Sequence, residues 1–198
     1  MNGICPKHGC NIGSRAGAKR VKCPEGHWLN IPKINPGSSF DFGQGPVPAH
    51  QHPNGKGWVA DTATVEESAF VGPDTHVSGY AQVSGYAHVS GNAMVSGYAE
   101  VYGYAKVSGN AMVSGYAQVS ENAEVSGNTR VYGYAMVSGN AHVYGYAMVS
   151  ENAEVSGNAM VSGYAIVYEK ARVYGKAHVF GHAQVSGNAR VHGNEVVS

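Results

Sequence analysis

Five side chains near the start of the chain have the types and spacing to hold a metal ion: Cys5, His8, Cys10, Cys23 and His27. Structural zinc takes four thiolate or imidazole ligands in a tetrahedron, usually as two pairs with two to four residues inside each pair. Cys5-Pro-Lys-His8-Gly-Cys10 supplies one half-site and Cys23-Pro-Glu-Gly-His27 the other. Five candidates compete for four places. One set takes Cys5, Cys10, Cys23 and His27; the other puts His8 in place of Cys10. All three cysteines of the chain fall in this stretch, and an odd number beside histidines favours metal over disulfides. A structural zinc is therefore the expected cofactor.

A second group, His178, His182 and His192, crowds the other end of the sequence and is a candidate metal or ligand cluster. Its plainer reading is as titratable surface side chains. No residue presents itself as catalytic.

The elements that would position these groups differ sharply in composition. Residues 1–57 hold seven cations against two anions, while the whole chain is neutral, so the remainder carries five net negative charges. Three segments follow: a zinc-knuckle module over 1–34, a Pro/Gly-rich linker over 35–57 and a repeat array over 58–198. The paired half-sites resemble the knuckles of zinc ribbons, in which the basic run Arg15–Lys22 would form a hairpin tip. That run has no interleaved aromatics, so it reads as a solvated loop and only weakly as a nucleic-acid contact. No apolar run is long enough to span a membrane, and the chain reads as cytoplasmic.

From Val59 to Val197 a valine occupies every sixth position, twenty-four in register, with Ala four residues after most of them. Neither a helix, repeating at about 3.6 residues, nor a flat strand, repeating at 2, calls for a period of six. A solenoid does. Val and Ala would point inward from short strands, with Gly and a following Asn or Tyr at each corner, because Gly enters left-handed backbone freely. Trp58 is placed to cover the open end of that core.

The Val-Ser-Gly-Asn-Ala repeat, as in Val89-Ser90-Gly91-Asn92-Ala93, resembles the hexapeptide-repeat superfamily of left-handed parallel β-helices, which includes acyltransferases and gamma-class carbonic anhydrases. The resemblance implies an all-β, left-handed parallel β-helix of triangular coils, three hexapeptides to a coil, about seven to eight coils in all. Sorting the corners by eighteen yields orderly columns without appeal to the family: Tyr80, Tyr98, Tyr116 and Tyr134 in one, Asn92, Asn110 and Asn128 in another. Like side chains one coil apart stack or form amide ladders, as parallel solenoids favour.

The outward residues sort into three faces. One shows Met94, Met112, Arg130, Met148 and Ile166, flanked by Tyr132 and Tyr168. Contiguous exposed apolar surface marks a partner site, and homotrimers are common in the superfamily, so this stripe is the expected self-association face. Enzymes of the superfamily build their sites from loops that interrupt the coils. Here the register never breaks, which argues for a non-enzymatic scaffold that binds or sequesters a protein or small anionic ligand in grooves between subunits. Long uninterrupted arrays of this type resemble bacterial and phage-encoded proteins, host-defence inhibitors or structural spikes among the roles implied. An acyltransferase or carbonic anhydrase relative is the competing class.

Overall fold

Each hexapeptide becomes one two-residue strand, an outward side chain followed by the valine, and a tight corner. Met94–Val95 pairs in parallel with Met112–Val113, eighteen residues on, and the same register holds from coil to coil. Twenty-four such strands stack as three ladders of eight, giving an all-β parallel solenoid of eight coils. In this computed structural model residues 38–198 are described in full. Before them only the backbones of Gly3–Ile4, Asn11–Ile12, Val21–Lys22 and Trp28–Leu29 are described. No helix among the described residues is long and apolar enough to cross a membrane.

Two compact units make up the chain, Met1–Ser38 and Ser39–Ser198. In the first, Gly3–Ile4 pairs antiparallel with Asn11–Ile12, and Val21–Lys22 with Trp28–Leu29. The candidate ligands Cys5, His8, Cys10, Cys23 and His27 lie outside the described residues, as does the basic run apart from Val21–Lys22.

The inward pattern explains the core. Valines from Val71 to Val179 and the intervening alanines have no exposed surface at all. Complete burial contributes roughly 1.5 kcal/mol or more per valine, and alanine is the size that lets three strands close on a narrow axis. Backbone groups are satisfied between coils even at the corners: Met94 N–H donates to Ala111 O, Ser96 N–H to Val113 O and Tyr98 N–H to Gly115 O, at 2.7–2.9 Å.

Two constraints fix glycine at the corners. Gly127 has φ +78°, and a Cβ there would stand 2.8 Å from the carbonyl oxygen of Gly145 on the next coil. Asp61, Glu67 and Pro73 hold the corresponding places in the first coil, and three later positions break the rule. Glu121, Glu151 and Glu169 take the corner with φ of 59–60°.

Residues 39–57, expected to be linker, instead form a cap on the first coil. Ser39–Asp41 pairs antiparallel with Pro46–Gln51, which in turn pairs with Trp58–Ala60. The signal lies in Asp41, whose Oδ1 accepts the amides of Gly43 and Gly45 at 2.7 and 2.9 Å and so closes the turn. Pro46 pairs on one side only, where a sheet admits proline, while Pro48 also accepts the Asp61 amide at its carbonyl. The turn that follows lays Gly57 N–H on Val71 O and receives Val71 N–H at Asn54 O, covering the first rung. His52, within the stretch whose composition reads as linker, is 2% exposed beneath this turn. Trp58 does not plug the core. It points outward, in register with His76, with Phe40 stacked on it at 4.7 Å.

Candidate functional site

With the core filled by Val and Ala, chemistry falls to the outward columns, and the parallel register decides which side chains meet. The corner columns stand as the period of eighteen predicts. Tyr80, Tyr98, Tyr116 and Tyr134 stack at 5.0–5.2 Å between centroids. Asn92 Nδ2 donates to Asn110 Oδ1, and Asn110 Nδ2 to Asn128 Oδ1, at 3.2 and 2.9 Å. Tyr146, Tyr164 and His182 form a further stack at 4.9 and 5.1 Å.

On the methionine face, Met94, Met112, Arg130, Met148 and Ile166 occupy five consecutive rungs of one ladder. The four apolar side chains are half-buried and Arg130 is exposed. Tyr132 and Tyr168 rise beside this ladder one residue after their valines, and Ser150, on the rung between them, is 3% exposed. Tyr132 Oη donates to Met148 Sδ at 3.5 Å, which ties the tyrosine ridge to the stripe. Near its N-terminal end Phe40 and Phe42 close on the His76 ring at 4.8 and 5.8 Å. The face is thus flat, largely apolar and continuous with the cap.

The second face carries charge in sequence along the axis. Glu100 and Glu154 come first and Arg172 and Arg190 last, with an ion pair of 2.9 Å between Arg172 and Glu154. Beside it runs a groove of about 290 Å³ past Tyr102, Gln118, Ser120, Glu121 and Met136.

The third face is the histidine face. Lys106 Nζ lies 2.8 Å from Glu124 Oε1, and His142 Nδ1 lies 3.4 Å from Glu124 Oε2. The hydrogen bond from Lys106 holds the Glu124 carboxyl below its usual range; burial opposes it, and the charges of Lys106 and His142 add to it.

His178, His182 and His192 do not come together. His178 sits on the histidine face, His182 caps the Tyr146–Tyr164 stack and His192 tilts against Tyr174 at 5.4 Å. Proximity in sequence misleads here, because neighbours in a solenoid lie eighteen residues apart. Among the described residues no three His, Cys, Asp or Glu side chains gather into a metal-holding group. The same column rule brings together residues that lie far apart in sequence: His142, Met160 and His178 follow one another on successive rungs.

No curated protein and no solved structure gives a match to the chain. Four stretches, residues 87–103, 105–121, 153–169 and 183–198, match the family model described as the YdcK beta solenoid repeat.

Proposed function

We propose that the protein is a non-enzymatic scaffold: a rigid solenoid, left-handed as its repeat type implies, that assembles into a homotrimer through the methionine face. The observation that carries this reading is the unbroken register. All twenty-four strands fall on the ladders with no inserted loop among them, so the surface offers flat faces and side-chain columns in place of a walled cleft. Flat, rigid surfaces suit contact with other macromolecules.

Support for the methionine face as the seam comes from chemistry. Met94, Met112, Met148 and Ile166 leave apolar area on a surface where water is the default, and charged side chains are depleted there relative to the other two faces. Grooves beside such a seam would be lined by Tyr132, Tyr168 and the exposed guanidinium of Arg130. A protein partner or a small anionic ligand fits that lining. The N-terminal unit adds a structural zinc held by four of Cys5, His8, Cys10, Cys23 and His27.

Sedimentation of the full chain tests the seam. The unaltered protein should sediment at three chain masses. Carrying Met112→Glu with Met148→Glu it should sediment at one, because a seam that buries a carboxylate without a partner is strongly disfavoured. Both positions lie outside the valine core, so the solenoid should stay folded, as an unchanged circular dichroism spectrum would show. An unaltered protein that sediments as a single chain would remove the seam from the account.

A further inference from the structure

Three donor side chains stand on consecutive rungs of the histidine face: His142, Met160 and His178, in register by direct strand pairing. All three are half-buried. The ring nitrogens of His178 have no hydrogen-bond partner among the described residues, and Met160 lies between the two imidazoles. One rung before His142 stands Glu124, with its Oε2 at 3.4 Å from His142 Nδ1.

From this arrangement we propose that His142, Met160 and His178 form a binding site for monovalent copper. The donor set selects the ion. A thioether is a poor ligand for magnesium, calcium and manganese, which take oxygen donors, whereas thioether sulfur selects Cu(I) and imidazole suits copper. Rungs of a parallel ladder are about 4.8 Å apart, so each imidazole has to lean by a single rung to meet an ion placed over the methionine sulfur. Methionine, with three rotatable bonds, adjusts to fit.

Glu124 completes the arrangement. Ligating histidines usually hold their second ring nitrogen on a carboxylate, which sets the tautomer and aims the free nitrogen at the metal. A neutral His142 with its proton on Nδ1, the nitrogen 3.4 Å from Glu124 Oε2, has Nε2 left to ligate. Lys106, bonded to the other oxygen of Glu124 at 2.8 Å, keeps that carboxylate in place.

The remaining methionines provide internal controls. Met94 and Met112 are also adjacent, but the one imidazole in line with them, His76, packs against the rings of Phe40 and Phe42. Met136 has Gln118 and Glu154 as its neighbours and no imidazole on either side. This site is independent of the proposed seam, which lies on another face.

The test uses the full chain labelled with ¹³C at the methionine methyls and carrying Cys5→Ser, Cys10→Ser and Cys23→Ser, so that thiols do not compete. Silver(I) serves as a redox-inert probe, and Cu(I) affinity is read by competition with a chromogenic chelator under a reductant. The Met160 methyl should shift and saturate at one silver ion, with Met94, Met112, Met136 and Met148 unmoved. Met160→Leu, His142→Ala and His178→Ala should each weaken Cu(I) binding by at least about tenfold, and Glu124→Gln by about tenfold through ring positioning. Met160→Leu keeps size and hydrophobicity, so an unchanged circular dichroism spectrum and melting curve separate loss of the ligand from loss of fold. A Met160 methyl that ignores silver, silver that moves Met94 and Met112 instead, or Cu(I) affinity untouched by Met160→Leu and His178→Ala would each overturn the proposal.

Discussion

Substituting Gly127 by alanine probes the feature on which the coil geometry depends. At φ +78° an L-residue pays about 1 kcal/mol or more for left-handed backbone. The new Cβ would also stand 2.8 Å from Gly145 O and 2.9 Å from Gly145 N. Those are backbone atoms, and Gly145 O already accepts the Asn128 amide at 2.7 Å. Relief therefore requires the two coils to part locally and that bond to lengthen, at a cost of about 1 kcal/mol. Alanine's smaller loss of backbone entropy on folding returns roughly 0.5 kcal/mol. The balance is a destabilisation of about 1.5 kcal/mol. Glu121 supplies the control: it already holds a corner with a Cβ at φ +60°, so Glu121→Ala should change stability by less than about 0.5 kcal/mol. Urea unfolding followed by circular dichroism measures both. Hydrogen exchange at the Asn128 amide reports whether the loss is local, as stacked repeats permit. If Gly127→Ala unfolds with the unaltered protein and Asn128 keeps its protection, close packing of the corners is not what restricts them to glycine.

Three further expectations follow from the core and from one face. Thr129 replaces the repeat's inward alanine, and its hydroxyl is buried without a partner. Thr129→Ala should thus stabilise by about 1 kcal/mol, read as a higher melting temperature; a lower one would place an unseen partner on the hydroxyl. Val143→Ala removes two buried methyl-sized groups from a site with no exposure and should cost about 2 kcal/mol in urea unfolding, with an unchanged m-value. The third concerns pH. Lys106 holds the Glu124 pKa below the ordinary carboxyl value of 4.5, so the ionised, paired form adds stability above that value and the contribution fades as pH falls through the depressed folded value. Both partners are more than a third exposed, which limits the gain to about 0.5 kcal/mol. The stability difference between the unaltered protein and Glu124→Gln should be constant at neutral pH and vanish in acid below 4.5. A difference that persists undiminished in acid would show that the pair is not its source.

Much of the solenoid could be read from the sequence because its rule is local and repeated. Val95 and Val113 need only be inward and eighteen apart to pair, and the same spacing put Tyr98 on Tyr116 and Asn110 on Asn128. Elements without a period were harder. The cap over residues 39–57 reads as linker by its prolines and glycines, and what makes it a hairpin is one Asp41 carboxylate and the stacking of Phe40 on Trp58. The three histidines near the C-terminus were grouped by sequence distance, whereas columns bring together His142, Met160 and His178. Glutamates at corners 121, 151 and 169 also defy the local rule, since glycine is preferred there but the fold does not require it at every coil.

The account rests most directly on the methionine face as a seam, and the decisive measurement is the sedimentation mass of the full chain at several concentrations. Three chain masses, falling to one with Met112→Glu and Met148→Glu, is the predicted result. A single chain mass at every concentration, or a trimer indifferent to both substitutions, would contradict it.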